Sequence, residues 1–245
     1  MFKRLLEMFL NFLEQSKPKP KVIDNEEQFK QAIDNFHQQI VSTESFDPNA
    51  HPELLEEEEK LQPKDYIEAA ELLNCEVACI KAVCEVESQG GGFLPSGRAK
   101  ILFESHLFGK LTNYKYNQTY PNISTSKWDR TTYKGGEKEY DRLQIAIELD
   151  KQAALKSASW GMFQILGSNF AACKHKTVEE FVNDQQISER RQLIAFVNFL
   201  KTNRIDQYLI SKDWNKFAEK YNGPGYLQNS YHTKLQNAYN KHKDR

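Results

Sequence analysis

The feature that most constrains this chain is a short amphipathic segment that carries a carboxylate on its apolar face and runs straight into glycines. It covers residues 74–92, NCEVACIKAVCEVESQGGG. At about 100° per residue, Val77, Ile80, Val83 and Cys84 share one side of a helix. Glu87 projects along the middle of that side, whereas Glu85 points nearly opposite. A carboxyl in apolar surroundings prefers its neutral form, so its pKa rises toward the range useful for giving up a proton at neutral pH. Gly90, Gly91 and Gly92 then end the helix and leave open backbone beside the acid. A general acid for glycoside cleavage needs this setting, and Glu87 is the candidate for that role.

The rest of the chain narrows the class. With 245 residues there is room for one substantial domain and an appendage. No apolar run approaches the roughly 20 residues of a membrane span. Net charge is uneven: +3 over residues 1–21, −9 over 22–65 and +5 over 66–245. No concentrated lysine and arginine tract marks a nucleic-acid partner. Cys75, Cys79 and Cys84 lie in or beside one predicted helix, and neighbours on a helix rarely meet disulfide geometry. Cys173 stands alone in sequence. No CxxC or HExxH occurs, so the thiols read as buried and reduced, with no metal and no cofactor implied. Reduced thiols point to synthesis in a reducing cytoplasm.

Three regions follow. Residues 1–21 pair an amphipathic pattern over 1–15 with the stiff basic linker KPKPK. The lysines stand where a signal peptide would carry a small-residue cleavage site, so no cleaved signal is expected. The amphipathic stretch is expected either to pack on protein or to lie in a membrane interface. Residues 22–60 form a helical and acidic connector, with a helix over 26–40 and the run Glu56–Glu59 in solvent. The main domain, 61–245, opens with helices over 65–73 and around Glu87. Its segment 93–133, including KILF and TTY, is expected to give loops and a few short strands. Helices resume over 137–158, 178–183 behind the Thr177–Glu180 capping box, 189–203, 214–221 with Asp213 as N-cap, and 231–243. The expected fold is mostly α, formally α+β: a helical domain with a small loop and strand insert and an N-terminal helical extension.

Three motifs in this domain appear in a fixed order: Val86-Glu87-Ser88, then SASWGMFQI over 157–165, then KYNGPGY over 220–226. Together they resemble the lysozyme-like superfamily of goose-type lysozymes and soluble lytic transglycosylases. Longer stretches, AVCEVESQGGGFLPSGRAKILFESH over 82–106, GGEKEYDRL over 135–143 and AALKSASWGMFQI over 153–165, resemble the N-acetylmuramidase family of phage endolysins and secreted bacterial toxins. The resemblance runs from about Leu61 to Lys241. No separate wall-binding module is evident.

That resemblance implies a lysozyme-like fold and cleavage of the β-1,4 bond between N-acetylmuramic acid and N-acetylglucosamine in peptidoglycan glycan strands. It makes Glu87 the general acid. Glu104 is the first candidate for a second carboxylate, either orienting a water or bonding structurally to His106 or to an arginine such as Arg98; Asp129, Glu137 and Asp141 are weaker ones. Ser159, Gly161, Gln164, Tyr221 and Asn222 are expected to shape the sugar cleft, with Trp160, Met162 and Phe163 as core. Trp128 and Tyr133 are aromatic enough to stack on sugar faces. Enzyme of this kind, made in the bacterial cytoplasm, would act in the periplasm or wall after delivery by a holin or a secretion system. Two other readings stay open on the sequence: a lytic transglycosylase leaving 1,6-anhydro ends, and a non-catalytic glycan-binding module.

Overall fold

A computed structural model describes residues 60–88 and 91–243. The features expected over 1–59, and Gly90, lie outside the described residues. Among those described are nine α-helices and one small sheet: α1 (Pro63–Leu73), α2 (Val77–Ser88), β1 (Ile101–Phe103), α3 (Ser105–Leu111), α4 (Lys138–Lys156), β2 (Ala158–Trp160), β3 (Ile165–Leu166), α5 (Val178–Gln185), α6 (Glu189–Thr202), α7 (Asp206–Ile210), α8 (Trp214–Asn222) and α9 (Tyr231–His242). The fold is predominantly helical with a three-stranded antiparallel insert. No described helix is long and apolar enough to cross a membrane.

Local chemistry explains the boundaries. Pro63 opens α1, where a missing N–H costs nothing, and Asp65 accepts from the Gln62 backbone at 2.7 Å. Asn74 closes α1 in the left-handed conformation (φ +52°). Thr177 caps α5 by accepting from Glu180 N, although the Glu180 carboxylate reaches back to Lys176 N rather than to Thr177. Asp213 caps α8 through Lys216 N. Within α4 the backbone leaves helical geometry at Asp150 (φ −162°, ψ 100°), whose Oδ1 caps the restart by accepting from Ala153 N at 2.9 Å.

The core forms where these helices pack round α2 and α6. Ile80, Val83 and Cys84 are buried on α2, facing the side predicted from sequence, and Glu85 is exposed. Leu193, Phe196, Val197 and Leu200 form the buried stripe of α6. Phe163 stacks on Phe196 with centroids 4.2 Å apart. Leu235 and Ala238 of α9 are also buried, and a side chain the size of leucine contributes roughly 1.5–3 kcal/mol when it leaves water.

The structure differs from the sequence expectation in three places. TTY is not a strand: Arg130–Thr132 forms a 3-10 turn capped by Asp129. SASWGMFQI is a hairpin, with β2 pairing β1 through Ile101–Trp160 and Phe103–Ala158, and β3 through Trp160–Ile165. Its turn needs left-handed backbone at Gly161 (φ +70°) and Gln164 (φ +48°), and three-residue strands are too short to show a period in sequence. The short helices α3 and α7 lack a long apolar repeat and were not expected.

Candidate active site

Glu87 lies on the last turn of α2 and lines a cavity of about 770 Å³. Tyr221 and Asn222 reach that cavity from the end of α8, Gly161 and Gln164 from the hairpin turn, and Tyr231 from α9. The structure thus brings five of the seven sequence-predicted residues to one wall. Ser159 and Glu104 are not among the lining residues. Ser159 is the ladder partner of Leu102 and Leu166, both of which line the cavity, so it supports the floor from within the sheet.

The carboxyl of Glu87 accepts one side-chain hydrogen bond, from Asn222 Nδ2 at 3.1 Å. Burial pushes its pKa above the ordinary glutamate value, against the pull of the Asn222 amide and the Lys234 ammonium. Burial also lifts the phenol of Tyr221 well above its usual value, and the nearby Glu87 charge adds to the shift. Tyr221 donates to the Phe163 carbonyl at 2.7 Å and packs against Phe196, Phe199 and Phe217, so its ring is fixed rather than free to swing. Asn222 Oδ1 is buried and has no hydrogen-bond partner. An unpaired acceptor of this kind is what a substrate N–H or O–H can satisfy.

The hairpin turn is locked from below. Gly161 N donates to Lys100 O at 2.8 Å, and Gln164 Nε2 donates to Gly161 O at 2.9 Å. Under the turn, buried Gln192 accepts from Met162 N at 2.6 Å and donates to Gln185 O at 2.8 Å. Glu189, one turn earlier on α6, accepts from Gly92 N at 2.7 Å and Leu61 N at 3.1 Å. These two side chains tie the backbone that follows the α2 glycines to the hairpin.

None of the other proposed carboxylates is among the residues lining the cavity. Glu104 precedes α3 and accepts from Tyr133 Oη at 2.6 Å, with His106 Nδ1 3.4 Å from the same oxygen. Arg98 pairs with Glu137, not with Glu104. Asp129 caps its 3-10 turn, and Asp141 is exposed. Glu87 is therefore the one carboxylate among the described residues lining the cavity. No cluster of three or more potential metal ligands occurs among the described residues.

A model of one family, described as Muramidase: N-acetylmuramidase, matches residues 76–243. The chain belongs to the N-acetylmuramidase family. The match takes in every element that lines the Glu87 cavity. A crystal structure of the Burkholderia AP3 phage endolysin is similar to this muramidase at a TM-score of 0.72 and 38% identity, over 76% of this chain and 73% of that one. No curated protein matches. The family and the endolysin likeness make the chain a peptidoglycan-degrading enzyme of the glycosidase class.

Besides Glu189 and Gln192, the muramidase framework holds a buried ion pair that was missed in sequence. Glu139, fully buried on α4, accepts from Lys134 N (2.6 Å), Gly135 N (2.9 Å), Phe103 N (3.2 Å) and Arg142 Nη1 (2.7 Å). Arg142 in turn donates to Phe103 O at 2.9 Å, Asn122 O at 3.1 Å and Ser105 Oγ. The pair fastens the Gly135–Gly136 wall of the cavity to β1. The available signal was position: Glu139 and Arg142 stand four residues before buried Leu143 and Ala146, on the same helix face.

Proposed function

We propose that this muramidase cleaves the β-1,4 bond between N-acetylmuramic acid and N-acetylglucosamine, with Glu87 protonating the leaving oxygen. The observation that carries the reading is the Glu87 carboxyl, raised in pKa by burial at the wall of an open cavity and contacted by a single side-chain donor. Glycoside cleavage needs a neutral acid at the leaving oxygen and shelter for an oxocarbenium-like centre. Gly161 lets a sugar approach backbone, Gln164 and Asn222 offer amides to an acetamido group, and the fixed ring of Tyr221 sets the back wall. A second cavity of about 1100 Å³ shares Leu94, Lys100 and Met162 with the first, which suits a polymer longer than the cleaved disaccharide.

The test is Glu87→Gln, assayed by turbidity loss of outer-membrane-stripped cells. Lysis should fall by about 10²–10⁴-fold, the usual contribution of a general acid, while the protein stays folded. A folded and fully active Glu87→Gln enzyme overturns the assignment.

One observation favours a second reading. With a single carboxylate among the described lining residues, a water-activating partner for hydrolysis is missing from the wall. A lytic transglycosylase needs only one acid, which first protonates the leaving oxygen and then takes the proton of the sugar's own hydroxyl as the ring closes. Mass spectrometry of digested wall separates the two: hydrolysis leaves reducing ends, transglycosylation leaves 1,6-anhydro ends.

The biological setting proposed is that of a phage endolysin, supported by the AP3 endolysin likeness, with a secreted antibacterial effector as the alternative. Delivery to the wall by a holin or a secretion system, and membrane contact through residues 1–15, belong to that proposal. The proposed domain division remains 1–21, 22–60 and 61–245.

A further inference from the structure

Of the three tryptophans in the chain, two are core and one is not. Trp160 and Trp214 are 1% and 4% exposed, whereas Trp128 is 61% exposed. An indole left in water loses the burial that usually justifies its size. Trp128 is nevertheless held in place. Its Nε1 donates to Tyr133 Oη at 2.8 Å, and that hydroxyl donates to Glu104 Oε2 at 2.6 Å. A phenol that donates to a carboxylate becomes a better acceptor, so the two bonds reinforce each other. The backbone on both sides is fixed as well: Thr125 Oγ1 donates to Lys127 O, and Asp129 Oδ1 accepts from Thr131 N.

The two residues that anchor this ring are close in sequence to residues lining the Glu87 cavity. Tyr133 is two residues from Gly135, and Glu104 is two residues from Leu102, both of them lining residues. At 3.8 Å between consecutive Cα atoms, each anchor lies within about 8 Å of the wall. The exposed residues that flank Trp128 in sequence, Ser126, Lys127, Asp129, Arg130 and Thr131, are all polar. A pyranose requires one aromatic face for its C–H surface and polar groups around it for its hydroxyls.

We propose that Trp128 is a stacking platform for a sugar of the glycan strand bound outside the Glu87 cavity, and that Glu104 acts through Tyr133 as a positioning residue for it. The proposal rests on the glycan reading of the Glu87 site. It predicts a preference for long strands over short ones, because only a long strand spans both places.

The experiment uses the full chain carrying Glu87→Gln and peptide-free peptidoglycan glycan strands. Because Trp160 and Trp214 are buried, fluorescence that iodide can quench reports Trp128. Strands of about eight sugars should shield it from iodide, and a disaccharide should not. Trp128→Ala should raise the Kd for long strands about tenfold, the scale of one aromatic contact, with Trp128→Phe falling between. In the otherwise wild-type enzyme Trp128→Ala should raise KM more than it lowers kcat. Tyr133→Phe should lower the fluorescence anisotropy of Trp128 and weaken long-strand binding in part. An unchanged Kd in Trp128→Ala, or unshielded fluorescence in the presence of long strands, overturns the platform. Failure of the wild-type enzyme to cut the same strands counts instead against the Glu87 reading.

Discussion

Asn222 Nδ2 donates to Glu87 Oε1 at 3.1 Å across 135 positions of sequence. A donor of this kind favours the charged carboxylate, yet burial outweighs it and the pKa stays raised. Asn222 thus moderates the acid rather than creating it. Its orphaned Oδ1 costs about 1–3 kcal/mol if left unpaired.

Removing that moderation moves the acid further from its ordinary value. Asn222→Ala deletes the donor, and Lys234→Met deletes the ammonium that also lowers the Glu87 pKa. Both should shift the alkaline limb of the kcat/KM profile to higher pH, Asn222→Ala also lowering kcat. Rate profiles between pH 4 and 9 check this; a limb displaced to lower pH in either variant contradicts the assignment of the titrating group.

Glu87 also carries a stability signature. A glutamate whose folded pKa lies above its unfolded value of about 4.5 stabilises the fold while protonated, and that contribution is lost as pH rises through the folded pKa. Glu87→Gln cannot ionise. It should therefore gain stability over wild type as pH climbs from about 4.5 through the raised folded pKa, and little below that range. Thermal unfolding of both proteins across that interval measures the difference, which is refuted by curves that stay parallel.

Glu139 behaves with the opposite sign. Burial alone would raise its pKa, but the N–H groups of Gly135 and Lys134 and the Arg142 guanidinium hold it below the glutamate value. Its contribution is present above the unfolded pKa and disappears as pH falls through the lowered folded one. Glu139→Ala leaves Arg142 buried without its carboxylate and should cost about 3–5 kcal/mol, read by urea unfolding at pH 7. A change under about 1 kcal/mol would show that the clamp is dispensable.

Gly161→Ala tests the hairpin. The residue holds φ +70°, and a Cβ there would lie 2.7 Å from both Gln185 Oε1 and Gln192 Cδ. Left-handed strain alone costs about 1–2 kcal/mol, and the clash pushes Gln192 away from Met162 N. The variant should unfold several degrees lower, by about 4 °C or more, and lose activity beyond what its stability predicts. Full activity with an unchanged melting temperature would mean that the turn tolerates another backbone path.

Much of the helical frame was legible because long apolar stripes dominate it. The Val77–Cys84 face follows from apolar spacing, and the Asp213 and Thr177 caps follow from residue type at the helix starts. The cleft residues after Glu87 were reached by resemblance, and the structure gathers Gly161, Gln164, Tyr221 and Asn222 with it at one cavity. The KILF run did yield β1, but other short elements escaped: α3, α7, β2 and β3 are decided by contacts made far along the chain. Buried polar side chains escaped too. Glu139 and Gln192 look like ordinary surface residues of charged helices, and only long-range bonds to Phe103 and Met162 show otherwise.

The packing of α9 carries one last consequence for how such an enzyme is made. Leu235 and Ala238 are buried there, and Tyr231 and Lys234 of the same helix bear on Glu87 through the cavity wall and through charge. The helix bearing the acid is synthesised about 140 residues before these late partners. On the proposed role of Glu87, a ribosome should therefore hold an inert cutter until almost the whole domain has emerged, and a chain broken off before α9 should lack a working blade.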